Sequence, residues 1–198
     1  MRTAKEKSAA EKIMEVIILS QEFKKDDKIG KIGEIAARKL LNQFGYQDSV
    51  IADVSKDPVY QSIDVDLVVS RGTKAPKMVE AKARTKDWHD IGLELVTNTT
   101  NNTPGWAYNT RSHIITQFAI DTLILHVIDA PKMQLWLRNV DVSRRKTKRA
   151  KNYSNGIYYS DSIIFPVSLD EARKAGWQTH SYRFNTHTQR YDLIYQHS

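Results

Sequence analysis

Cysteine is missing from this chain of 198 residues, so disulfides and thiolate-bound metals are excluded. The six histidines never fall at the paired spacing of a His-Glu-x-x-His zinc enzyme. A Gly-x-Ser-x-Gly elbow and a Gly-rich phosphate loop are also absent, which removes triad hydrolases and nucleoside triphosphatases. No apolar run approaches the roughly 18–20 residues that cross a bilayer, so no membrane is expected as a partner. The amino terminus, MRTAKEKSAAEK, lacks the apolar core and cleavage site of a secretory signal. A cytoplasmic protein is the expectation, in which the Asn-x-Thr sequons at Asn98 and Asn101 read as polar loop.

What is present is a globular composition, with 40% hydrophobic and 27% charged residues. The length suits one domain with a substantial core. Thirty Lys and Arg against 23 Asp and Glu leave a net charge of +7. That excess points to a polyanionic partner, nucleic acid first.

Ser8 and Glu11 have capping-box spacing, and Ile13, Val16, Ile17 and Ser20 recur helically, predicting a first helix over 8–23. A second helix is predicted over 28–44, with Ile29, Ile32, Ile35, Ala36, Lys39 and Leu40 as its inward stripe. Gly45 is placed to cap it. DSVIADVS reads as a strand. SIDVDLVV and KMVEAKA, joined by SRGTKAPK, read as a hairpin turning near Thr73. HDIGLELVT, HIITQFA and DTLILHVID continue the β pattern, and APKMQLWLRNV reads as a helix from Pro131. GIYYSDSIIFPVS is a strand, Ser168 caps a short helix, and a hairpin turns around Asn185. There is no repeat and no clear linker. The expectation is a single domain over 1–198, with a helical extension (1–27), a core (28–140) and a basic segment with a C-terminal α/β extension (141–198). The fold class is α/β in the α+β sense, a central mixed sheet flanked by helices.

The hairpin is the informative part. Residues two apart on a strand share a face, so Asp64 with Asp66, and Glu80 with Lys82, are expected on one side of an otherwise apolar pair. Such charges can form a cross-strand ladder on a solvated face, stabilising by roughly 0.2–1 kcal/mol. They can also form a phosphodiesterase centre. Hard cations such as Mg²⁺ take oxygen ligands and keep several waters, so two carboxylates suffice as protein ligands. A nearby lysine orients the attacking water and offsets charge on the phosphorane.

Asp66, thirteen intervening residues, then Glu80-Ala81-Lys82, each on an apolar strand after a helix bearing a Glu, resembles the PD-(D/E)XK nuclease superfamily. That superfamily includes type II restriction enzymes, Holliday-junction resolvases and many phage nucleases. DLVV and VEAKA match its two signature strands, KIGEIAARKLLNQFGY resembles its preceding helix, and the resemblance covers about residues 29–84. It implies a restriction-endonuclease-like core and a Mg²⁺-dependent deoxyribonuclease, with Mn²⁺ able to substitute. Asp66 and Glu80 become metal ligands, the Ala81 carbonyl a further ligand and Lys82 the catalytic lysine. Val65 stands where the family's proline would precede the aspartate. Asp64 rivals Asp66; Asp66 is preferred because it leads straight into the apolar strand. Asp64 or Glu34 would complete the outer ligation. Glu34 has a second role open to it, an ion pair with Arg38. Glu94 can reach the same site or simply face solvent.

The run Arg144, Arg145, Lys146, Lys148, Arg149 and Lys151 puts six positive charges in eight residues. As a loop, mobile when free, it would grip DNA phosphates without reading sequence. Trp106, Tyr108, Tyr153, Tyr158 and Tyr159 could stack on bases, although Trp106 fits packing at a strand start and His126 a place in the core. A homodimer is compatible with this reading. The alternative is a catalytically silent nuclease-fold protein that binds nucleic acid or another partner.

Overall fold

Leu67, Val69, Val79 and Ala81 alternate along two strands, and burying them on one side sets the register of the pair. The strands are β2 (Leu67–Arg71) and β3 (Lys74–Arg84), antiparallel with Leu67 opposite Val79 and turning at Gly72, whose φ of +52° suits glycine. The computed structural model describes residues 25–44, 49–154 and 157–197. The helix expected over 8–23 and the Gly45 cap lie outside them.

Helix α1 (Lys25–Gln43) packs Ala37 and Leu41 onto the apolar face of the hairpin, and Ile32, Ala36 and Leu40 onto Phe118 and Leu125 further along the sheet. Ile35, expected inward, is 39% exposed, and Lys39 lies over the Phe184 ring. The true stripe is shifted onto Ala37 and Leu41, because the small residues let the helix come close. A Cβ on Gly33 would sit 3.0 Å from the Lys82 carbonyl carbon.

The remaining elements, in order, are β1 (Val50–Asp53), α2 (Pro58–Gln61), β4 (Asp90–Asn98), β5 (Thr103–Pro104), α3 (Trp106–Asn109), β6 (Ile114–Ala119) and β7 (Ile124–Asp129). They are followed by α4 (Ala130–Arg138), a 3₁₀ turn (Val142–Arg144), β8 (Lys148–Ser154), β9 (Ile157–Ser168), α5 (Leu169–Lys174), β10 (Gln178–Asn185) and β11 (Arg190–Gln196). Asp129 and Ser168 cap α4 and α5 with their side chains.

The strands do not form one central sheet. Seven of them run β1-β2-β3-β6-β7-β10-β11, all antiparallel except the β3/β6 pair, and four form a second sheet, β5-β4-β9-β8. The class is mixed α/β with a large mixed sheet and few helices. α1 covers one face of the large sheet. The other face meets Ile91, Leu93 and Leu95 of β4, with Trp106, Met133, Leu137, Phe165 and Trp177, in the largest core cluster. The β4 pattern was legible, but not that it belongs to a second layer. On this inner face Lys82 neighbours Gln117, Gln117 neighbours His126 and His126 neighbours Ser181, a row that includes three buried polar residues. His126 lies in the core as expected, bonded to Ser181 at 2.9 Å, and burial lowers its pKa to about 4. Among the described residues no helix is long and apolar enough to cross a membrane.

Gly105 joins β5 and α3 to β4 through its N–H to Leu95 at 2.9 Å. A Cβ there would lie 2.6 Å from the Glu94 carbonyl carbon, which is backbone and cannot yield. Gly105→Ala is expected to destabilise the protein by about 1–3 kcal/mol, read as a lower midpoint in chemical denaturation.

Candidate active site

Val79 and Ala81 point to α1, so Glu80 and Lys82 must point to the inner face, beneath β4 and α3. Asp66 enters on the same side: its N–H donates to the Val79 carbonyl at 3.0 Å, and its carboxylate accepts the Ala81 N–H at 2.8 Å. The register of the hairpin therefore brings the two carboxylates together, with Asp66 within hydrogen-bonding reach of Glu80. Glu80 is 2% exposed; one carboxylate oxygen is ion-paired with the Lys82 ammonium, and the other, Oε2, is buried with no protein partner. Lys82 is 32% exposed, its Nζ 6.0 Å from the Trp106 ring. Trp106 begins α3 rather than a strand and is buried.

The electrostatics follow from this crowding. Burial pushes the Glu80 carboxyl up to about 7; Lys82 opposes the rise and Asp66 adds to it. Burial also raises Asp66, against the pull of the Ala81 N–H and Lys82. For Lys82, burial disfavours the charge but Glu80, Asp66 and Asp64 outweigh it, so its pKa rises. A cation is thus held against two carboxyls that resist being charged together.

Asp64 requires a correction. It lies in the turn after α2, at φ +49°, whereas Asp66 immediately precedes β2. Its carboxylate accepts the Asn109 side-chain amide at 2.8 Å, and its carbonyl accepts hydroxyls from Thr110 at 2.9 Å and Ser112 at 3.2 Å. From there its charge still acts on Asp66, Glu80 and Lys82. Glu34 belongs elsewhere: α1 packs on the opposite face of β3, and Glu34 pairs with Lys31 at 2.5 Å, which reaches Asp53 at 3.1 Å. Glu94 accepts the Thr97 hydroxyl at 2.8 Å. Ala81 contributes its N–H to Asp66. Among the described residues no group of three or more His, Asp or Glu is arranged to hold a metal ion.

The basic run is not a loose loop. Arg144 pairs with Asp141 and Arg145 with Glu171, both at 2.9 Å, and Arg149 with Asp161 at 3.6 Å. Lys148, Arg149 and Lys151 belong to β8, an edge strand paired to β9, and Lys151 lies opposite Asp161 in the register. All six basic side chains are exposed. The charges of this run show no two-residue alternation, so the strand left no periodic signal in the sequence. Sequence reading also passed over Trp88, which is 56% exposed in the loop between β3 and β4.

No family model, curated protein or solved structure matches the chain.

A carboxyl with a raised folded-state pKa stabilises the fold when protonated and loses that contribution as pH rises through the folded value. For Glu80 the window runs from 4.5 to about 7. Stability of the metal-free protein is expected to fall across this window, by up to about 3 kcal/mol from Glu80. Glu80→Gln should flatten that slope in denaturation measured at acidic and at neutral-to-alkaline pH.

Proposed function

We propose that the chain is a divalent-cation-dependent DNA nuclease with a restriction-endonuclease-like core of the PD-(D/E)XK kind. One observation carries the reading: a buried glutamate oxygen without a protein partner, beside a second carboxylate and a lysine, on the strands that bear the motif. Orphaned acceptors of this kind are rare in a fold and need a reason. The donor set is all oxygen, which fits Mg²⁺ or Mn²⁺ better than softer metals.

Asp66 and Glu80 would hold the ion, Asp64 would add negative potential behind them, and the ion's water shell would make up for a third carboxylate. Bound there, a divalent cation supplies polarisation of a phosphate oxygen and a lower pKa for water. Lys82 is poised by Glu80 to donate a hydrogen bond to the attacking water and to offset charge on the phosphate oxygens. The Ala81 N–H fixes the Asp66 rotamer. The net charge of +7 and the exposed Lys148, Arg149 and Lys151 of β8 supply attraction to the phosphate backbone.

A second reading has its own support. The Lys82–Glu80 ion pair closes the site without an ion, and no three-ligand cluster is present among the described residues. On that reading the chain is a silent nuclease scaffold that binds DNA.

The two separate in one assay. Plasmid and linear DNA incubated with Mg²⁺ or Mn²⁺ should be cut, and EDTA should stop it. Lys82→Ala is expected to reduce cleavage by about 10²-fold or more while DNA binding persists. Mg²⁺ should raise the melting temperature of the native protein and leave that of Asp66→Ala unchanged. Native protein that binds DNA yet neither cuts it nor responds to the ion would establish the silent scaffold instead.

A further inference from the structure

Arg84 lies two residues beyond Lys82 on β3 and, by strand alternation, on the same face. Its guanidinium is tied to Asp90 at 2.6 Å and to Asp87 at 3.4 Å. Asp87 is itself fastened: its N–H donates to the Asp121 carboxylate at 2.9 Å, and its own carboxylate accepts the His89 N–H at 2.8 Å and the Thr122 hydroxyl at 3.3 Å. The loop from 85 to 89 is therefore rigidly built, and it holds the Trp88 indole out in solvent.

More than half of the indole surface is open to solvent, on a loop fastened by ion pairs and hydrogen bonds. Two cations sit over it, Arg84 at 5.5 Å and Lys148 at 5.1 Å from the ring centre. Lys148 opens β8, so the indole bridges the end of the catalytic strand and the basic edge strand. A flat aromatic surface beside exposed cations matches the chemistry of unpaired nucleic acid, in which bases stack and phosphates pair with lysine and arginine. A duplex keeps its bases inside and offers such a ring no face.

We propose that Trp88 is a stacking platform for an unpaired base of single-stranded DNA, with Lys148, Arg149 and Lys151 of β8 taking the flanking phosphates. This rests on the nuclease reading for its meaning, since it makes a single-stranded segment next to the candidate site the preferred substrate. An arriving base takes the place of the Lys148 ammonium over the ring, and the lysine stem is long enough to turn to a phosphate.

Binding in EDTA tests this independently of cleavage. Labelled oligo-dT and a duplex of equal charge would be titrated by fluorescence anisotropy into native protein, Trp88→Ala, Trp88→Phe and Lys148→Ala. Trp88→Ala should weaken oligo-dT binding about tenfold and leave duplex binding unchanged, with Trp88→Phe keeping most of the affinity. The salt dependence should be unaltered in both Trp88 variants and shallower in Lys148→Ala. Unchanged oligo-dT affinity in Trp88→Ala, equal losses on both probes, or no binding of oligo-dT by the native protein would each overturn the proposal. Failure of the nuclease reading has a different signature: native protein binds oligo-dT in a Trp88-dependent way but cuts nothing when Mg²⁺ is supplied.

Discussion

The pairing of Leu67 with Val79 is the constraint on which the candidate site depends. Strand side chains alternate, so a slip of one residue would turn the whole apolar set away from α1 and carry Glu80 to the helix side. Four apolar residues, Leu67, Val69, Val79 and Ala81, meet Ala37 and Leu41 and fix that register. Their burial gives the opposite face no choice but to collect Asp66, Glu80 and Lys82. The hydrophobic effect on one side of β3 thus supplies the free energy that keeps mutually repelling carboxyls together on the other.

The inner face is held from above as well. Gly105 touches the backbone at Glu94, Trp106 fills the space beside Lys82, and Asn109 holds Asp64. One connection from β3 to β6, running through β4, β5 and α3, therefore both crosses between parallel neighbours and places Trp106 beside Lys82. The polar row from Gln117 to Ser181 continues the same face beneath the second layer. His126 stays neutral there because burial makes its charged form costly.

Much of this was legible in residue order. The hairpin, its turn, β6, β7, the helix start at Pro131, the cap at Ser168 and the last hairpin all follow from alternation, turn residues and capping chemistry. Periodicity reports which face a residue takes but not which layer a strand joins, so β4 and β9 gave no sign of a second sheet. Asp64 was placed on a strand because two-residue spacing looks the same in a turn. Ile35 was placed inward because hydrophobicity outweighed the size argument that selects Ala37 for close helix–sheet contact. The coincidence of Asp66 with Glu80 and Lys82 was readable from strand faces. The pairing of Glu34 with Lys31 was not, since it depends on how the helix lies against the sheet. Trp88 escaped because a solitary aromatic among charges carries no periodic signature.

An unpaired β-strand edge invites another strand to add to it, the first step toward aggregation. β8 is such an edge, exposed along Lys148 to Lys151, yet a second copy docking there would press arginine and lysine rows against each other. The basic character of this strand therefore opposes edge-to-edge pairing between copies through like-charge repulsion. At high ionic strength that repulsion is screened, and the edge loses its protection.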